Sequence, residues 1–555
     1  MYDYEKFARV LASIEIPRSK FSYKCPVKTT FNHGQIIPLI YEEVLPGDTW
    51  NLKDFSMVLR LSSPLKTPIL DNINASVFIF FVPCRLLWSH WKQFMFENTD
   101  SKWVSSTEYT IPMITAPDGG WNSCSLADYL GVRPGVKCKV NQLRFRCYVE
   151  IYNEWFRDQN LIDPVYYDKG DSDIIGNNGT DYVNDVIRGS VVMQISRHRD
   201  YISSCLPAPQ KGPDVLLPLG TNAPVYPGDE ILFDDMKKYS DGTIFYPVQF
   251  RGGSAAGSDY NTSVGTLGLD SSGIVRSTGA AISGSVPHVI PTNLYADLSS
   301  ATATTINQLR TAFQLQKFYE RLALGGSRYT EVIRSFFNVQ SSDARLQRPE
   351  FLAGDRFPVN INQVIDTTSA NLAKVGAYSM TYGNGCQFIK SFEEHGILMA
   401  VIATQHTHSY QQGNDRYLYK ETFTDFFFPV FNNLGEQPVY NREIFVQGND
   451  DDSKVFGYQE NYPEYRQGKS RITGQFRSGA NGLPGQGLDT WHLADYYDSL
   501  PILSKEFIEE SPVSLDRVLT VSHDLSNQYL LDCVFDFEVS RPMSEYGVPG
   551  LIDHH

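Results

Sequence analysis

Two histidines are the first candidates for chemistry in this 555-residue chain. The apolar run 396–404 (GILMAVIAT) continues as Gln405-His406-Thr407-His408. On a strand His406 and His408 share one face, a spacing that two metal ligands can use. Spacing names no third ligand, so the pair is read as two partly exposed histidines at a strand end, and no metal site is assigned. Acidic loops follow. Asp450, Asp451 and Asp452 stand beside Gly448, and Asp171, Asp173 and Asp181 surround Gly176 and Gly179, but neither group keeps the order of an EF-hand. Both read as solvated loop charges. There is no nucleophile elbow, no zincin motif and no dinucleotide fingerprint. Gly468-Lys469-Ser470 matches the end of a P-loop, yet Pro463 stands where its first glycine belongs. The sequence therefore offers no catalytic residue and implies no cofactor.

Two basic stretches run against the overall charge. Residues 133–146 (RPGVKCKVNQLRFR) carry Arg133, Lys137, Lys139, Arg144 and Arg146 without an acid. Residues 466–477 (RQGKSRITGQFR) carry Arg466, Lys469, Arg471 and Arg477, again without one. Phe145 and Phe476 interleave. Cations neutralise phosphates and aromatic faces accept unpaired bases, so these nine residues are candidate contacts to single-stranded nucleic acid. Pairing with acids of a neighbouring subunit, or plain solvation, is the competing reading.

The elements that must position these residues are mostly strands. Leu531, Cys533, Phe535, Phe537 and Val539 alternate with mainly polar residues, which puts one face of a strand in a core. Residues 77–84 (VFIFFVPC) and 396–404 are continuous apolar runs, as in strands buried on both faces. Residues 57–61, 417–423 and 425–430 are further strand candidates. Four helices are predicted. One begins with the capping box Thr305–Gln308, carries Ile306, Leu309, Phe313 and Leu322, and stops at Gly325-Gly326. The others carry Tyr329, Val332, Ile333 and Phe336; Tyr148, Ile151, Tyr152, Trp155 and Phe156; and Leu87, Trp91, Phe94 and Met95. Each stripe is expected to pack in a core. Strands and helices do not alternate regularly, so an antiparallel barrel or sandwich with long insertions fits better than a parallel sheet.

Composition narrows the function classes. Aromatics make up 13% and charged residues 20%, a balance that disfavours disorder. The net charge of −15 argues against a free-standing nucleic-acid binder. Eight dispersed cysteines form no C-x-x-C pair and read as buried thiols of a reducing compartment. The first residues resemble no secretory signal, and no apolar run reaches the roughly twenty residues of a membrane span, so a soluble chain is expected. Residues 251–286 hold 8 Gly and 8 Ser, too little apolar surface for a core; with its flanks, 221–303 reads as an exposed surface insertion.

Several long strings are more specific. Residues 337–358 (FNVQSSDARLQRPEFLAGDRFP), followed by Val359-Asn-Ile-Asn, resemble the major capsid proteins of microviruses, in particular the gokushovirus branch. Residues 153–161 (NEWFRDQNL), 205–215 (CLPAPQKGPDV), 470–477 (SRITGQFR) and the tail 541–555 (RPMSEYGVPGLIDHH) are similar too, as are 28–31 (KTTF) and 43–49 (EVLPGDT). Ala208 and His555 depart from the family, which commonly has an aromatic at each. The resemblance spans nearly the whole chain except 221–303.

It implies an eight-stranded antiparallel jelly roll of viral capsid type, with long, partly helical insertions. The expected organisation is an N-terminal arm (1–33), a discontinuous capsid domain (34–220 and 304–540), a surface protrusion (221–303) and a tail (541–555). The implied function is structural: about sixty copies assemble into a small icosahedral (T=1) shell in a virion, around a circular single-stranded DNA genome. Implied partners are other copies of the chain, the DNA, a small basic DNA-packaging protein, scaffolding and pilot proteins and a host cell-surface receptor, with no membrane insertion and with assembly in the host bacterial cytoplasm. The arm, with six Lys/Arg against three acids, is a third and weaker candidate for meeting DNA. The alternative is a jelly-roll carbohydrate-binding protein of low oligomeric state; a glycosidase-like enzyme comes third and would need a carboxylate pair in a cleft.

Overall fold

The computed structural model describes residues 17–97, 107–215, 306–365, 375–480, 483–485 and 487–546, with six short strands between Val225 and Ala296. The chain divides into two compact units, one of residues 1–211 and 320–555, the other of residues 212–319.

In the first unit, alternating patterns and continuous apolar runs together produce nine principal strands: β1 (Ser19–Phe31), β2 (Ile37–Val44), β3 (Thr49–Leu61), β4 (Ile73–Pro83), β5 (Glu350–Pro358), β6 (Thr381–Gly385), β7 (Phe388–Ser391), β8 (Gly396–His406) and β9 (Tyr529–Arg541). One sheet runs β1–β9–β3–β6, with β7 also paired to β3, and the other runs β5–β4–β8–β2. Every pairing in both is antiparallel. β6 and β7 lie in line along β3 on either side of Cys386, whose φ of 56° kinks the backbone. Opposite that kink the β9–β3 register shifts between Asp536 and Phe537, so Lys53 bulges out of β3 and its Nζ lies 2.6 Å from Glu538.

The core forms where the patterned faces meet. Leu531, Cys533, Phe535, Phe537 and Val539 of β9 are buried with Trp50, Leu52, Phe55, Met57 and Leu59 of β3. Every residue of β8 is buried, as its unbroken apolar run predicts. Helix α1 (Leu143–Ile151) packs on this sheet; the hydroxyl of its Tyr148 donates to the carbonyl of Ile36 and accepts from the N–H of Met193, so a phenol sits in the core fully satisfied.

In the second unit the short strands form nested antiparallel pairs: Val225–Pro227 with Leu294–Ala296, Phe250–Gly253 with His288–Pro291, and Leu267–Leu269 with Val275–Ser277. The remainder of the Gly/Ser-rich segment, the capping residue Thr305 and the last nine residues lie outside the described residues.

Three expectations are corrected. Residues 417–423 and 425–430 are not strands: they form 3₁₀ turns (Arg416–Tyr419, Phe423–Asp425, Pro429–Asn433) with no sheet partner. Asp425 accepts from the N–H groups of Glu421 and Thr422, a local closure that competes with pairing. The helix near Leu87 is two four-residue turns, Cys84–Leu87 and Trp91–Phe94, because Trp88 between them is extended. The third concerns α2 (Ile306–Gly325) and α3 (Tyr329–Phe337). Both helices form and α2 ends as expected, but their stripes are not core: Phe313 is exposed, and Val332, Ile333 and Phe336 are only half-buried.

Candidate subunit and nucleic-acid interfaces

The nine basic candidates fall into distinct environments. Lys137 Nζ lies 2.6 Å from Asp118, and Lys139 Nζ 2.7 Å from Asp173. Hydrogen bonds from these lysines hold both carboxyls below the usual carboxylate range. Arg144 lies over the Tyr41 ring at 4.8 Å, with a guanidinium nitrogen 4.0 Å from Glu43. Arg133 is exposed and makes no ion pair among the described residues. Arg146 differs: it is 1% exposed and donates to Gln142, to the carbonyl of Leu87 (3.0 Å) and to that of Gly170 (2.9 Å). It is a structural arginine that no phosphate reaches, and Phe145, stacked against Trp121 in the core, faces no base.

The second stretch divides in the same way. Arg466 pairs with Glu460, and Arg471 Nε lies 2.8 Å from Asp415. Arg477 is exposed without an ion pair among the described residues. Lys469 is half-buried and donates to the carbonyls of Glu443 and Asn414; burial lowers its ammonium pKa. The two stretches pack on different neighbours, the first beside Met113–Thr115 and the second beside residues 411–415. The described part of the arm is β1, where Lys20, Lys24 and Lys28 face Glu538, Asp536 and Asp532 of β9, so its positive charge is largely matched.

The largest feature absent from the sequence reading is apolar. Between Arg416 and Leu434 the turns hold Leu418, Phe423, Phe426, Phe427, Phe428, Val430 and Leu434 in solvent, Val430 at 87% exposure. A cation anchors the segment: Lys420 Nζ lies 2.7 Å from Glu464 and within 5.4 Å of the Tyr417, Phe426 and Tyr465 ring centres. Exposed apolar surface of this density is characteristic of interaction surfaces.

Comparison with known proteins decides between the remaining readings. The family Phage_F, described as "Capsid protein (F protein)", matches residues 10–551. Capsid protein VP1 of Bdellovibrio phage phiMH2K is 39% identical over 557 residues, covering 99% of this chain and 98% of the relative. Capsid protein VP1 of Spiroplasma virus 4 is 36% identical, covering 97% and 96%, and that of Chlamydia phage 1 is 34% identical with the same coverage. The chain belongs to the Phage_F capsid protein family. It is a microvirus major capsid protein of the gokushovirus kind, a structural protein of a phage virion that assembles into a shell and not an enzyme. Among the described residues no helix is long and apolar enough to cross a membrane.

The capsid protein also buries a polar cluster that the sequence reading placed near the surface. His406 and His408 are not partly exposed: they are 0% and 5% exposed, because the strand that ends at His406 is covered on both faces to its end and His408, two residues beyond it, lies against Asp495 and Glu510. His33, at the end of β1, and Glu510 join them. Burial opposes charge on Glu510, but the surrounding imidazoles hold its carboxyl well below the usual range. His408 is pushed up to about 9: burial works against the charged ring, but Asp495 and Glu510 outweigh it. Asp495 in turn lies 2.6 Å from Arg197. The acidic loops found by sequence serve local bonding: Asp452 accepts from the N–H groups of Gln447 and Gly448, and Asp171 accepts from Trp88.

Proposed function

We propose that about sixty copies of this capsid protein close into an icosahedral shell around single-stranded DNA, each copy contributing a jelly roll whose loops carry the contacts. The strand order supports the jelly roll. Successive strands β1, β2, β3 and β4 alternate between the two sheets, as do β8 and β9, and taking β6 with β7 as one broken strand leaves four positions per sheet. The observation that carries the assembly reading is the exposed aromatic segment Arg416–Leu434, whose occupant is a neighbouring copy.

The exposed cations Arg133, Lys137, Lys139, Arg466, Arg471 and Arg477, with Arg144 at the margin, are the part of the basic set that supports an inner, DNA-facing surface. A shell of uniformly acidic subunits repels DNA, so packaging calls for a small basic partner as well. Residues 221–303 are assigned to a surface protrusion that meets a host receptor, and scaffolding and pilot proteins are assigned to assembly in the host cytoplasm. Sedimentation and electron micrographs of the purified protein, with assembly partners supplied, test the reading. Uniform closed particles of about sixty copies are expected. A monomer or small oligomer under those conditions overturns the icosahedral shell.

A further inference from the structure

The buried cluster contains an arrangement that shell assembly does not use. His33 Nε2 lies 3.0 Å from His406 Nδ1, His406 Nδ1 lies 3.1 Å from Glu510 Oε2, and Glu510 Oε2 lies 3.3 Å from His33 Nε2. All three side chains are fully buried. One edge, His33 Nε2 to His406 Nδ1, is within hydrogen-bond distance, but Glu510 Oε2 accepts no well-aligned hydrogen bond although two imidazole nitrogens are its neighbours. Ligands on a tetrahedral ion with bonds of about 2.0–2.1 Å stand about 3.3 Å apart, close to the observed edges.

The surroundings orient His33 and Glu510 as outer partners of a metal site do, while Nε2 of His406 is buried without a hydrogen-bond partner. His33 Nδ1 lies 3.3 Å from the Tyr529 hydroxyl; with Nδ1 as the donor of that bond, Nε2 presents its lone pair inward. The other Glu510 oxygen accepts from the backbone N–H of His406 and lies 3.2 Å from His408 Nε2. Gly34, at φ +80°, makes room: a Cβ there would stand 2.6 Å from the Cβ of Glu510 and push the carboxylate away.

We propose that His33, His406 and Glu510 supply three of the four ligands of a buried site for one divalent transition-metal ion of the zinc class, tying the end of β1 in one sheet to the end of β8 in the other. Two imidazoles and one carboxylate suit zinc, whereas calcium and magnesium require oxygen donors. The ion is structural: with the ligands closed to solvent, it enters as the chain folds.

The test uses untagged full-length protein expressed with added zinc, carrying His554→Ala and His555→Ala so that the tail histidines hold no metal. Elemental analysis after gel filtration is expected to give about one zinc per chain, falling at least about fivefold in His406→Gln and in Glu510→Gln. Protein expressed with cobalt(II) is expected to show the intense visible bands of a tetrahedral nitrogen–oxygen site. Where the variants do not fold, that spectrum decides: tetrahedral bands support the site, and their absence overturns it. Metal below about 0.1 ion per parent chain, or metal retained in full by both folded variants, overturns it as well.

Discussion

The Nε of Arg471 lies 2.8 Å from Oδ2 of Asp415 at the surface of the subunit, with the arginine side chain 68% exposed. An acid from a separate stretch of chain thus neutralises a cation in a segment that has no acid of its own. The same holds for Lys137 with Asp118 and Lys139 with Asp173. Exposed pairs of this kind add little to stability because solvent screens them, so a phosphate can displace the acid. Buried cations have no such exchange open to them.

That distinction separates the nine basic candidates experimentally. Charge reversal at Arg133 and Arg477, or at Arg144 and Arg471, is expected to lower the DNA retained in purified particles while thermal unfolding stays within about 0.5 kcal/mol of the parent. DNA content per particle, read from the ratio of absorbance at two wavelengths, checks it. Unchanged content removes these residues from the inner surface.

Arg146 answers a different assay. Arg146→Ala leaves the carbonyls of Leu87 and Gly170 and the amide of Gln142 without their donor in the core, a loss of about 2–4 kcal/mol. Chemical denaturation of the unassembled protein is expected to show it, and Arg133→Ala is expected to show almost nothing.

Val430→Asp and Phe423→Asp place a charge in the exposed aromatic segment. The isolated chain is expected to unfold within about 0.5 kcal/mol of the parent, because neither side chain is in its core. Assembly followed by sedimentation is expected to fail. Normal particles from both variants would move the subunit contact elsewhere.

Burial, with Glu460 and Glu320 nearby, pushes the Glu436 carboxyl up to about 7, and Arg466 only partly offsets this. The folded chain holds this proton more tightly than the unfolded chain, whose carboxyl has an ordinary value of 4.5. The contribution to stability is therefore intact below the ordinary value and is lost as pH rises towards 7. Glu436→Gln is expected to melt higher than the parent near pH 8 and at nearly the same temperature near pH 4. Equal differences at both values would show that ionisation is not the cause.

Deletion of residues 251–286 is expected to leave particle formation intact and to reduce adsorption to host cells. Loss of particles would make the segment structural.

Much of the sheet framework was legible in the sequence, because β9, β8, β4 and part of β3 announce themselves by period and by run length. β8 could also have foretold the burial of His406: a strand covered on both faces does not surface within three residues of its last aliphatic, Ala403. The remaining ligands could not be read, since His33 is 373 positions from His406 and Glu510 a further 104 beyond it. The segment around Phe423–Val430 misled for a physical reason. Aromatic density signals burial without saying against what, and here it is not buried within the chain. Counting acids within each basic stretch failed likewise, because neutralising partners come from other loops.

Among the described residues β9 is the last strand to be made, and it lies between β1 and β3, two of the first. A chain cut short before Tyr529 has a hole in the middle of one sheet and leaves unpaired edges on both strands beside it. Such a fragment cannot present the finished surface that a growing shell accepts. Synthesis must pass β9 before this sheet can close, so the order of strands makes a subunit usable only after its late segment has been made.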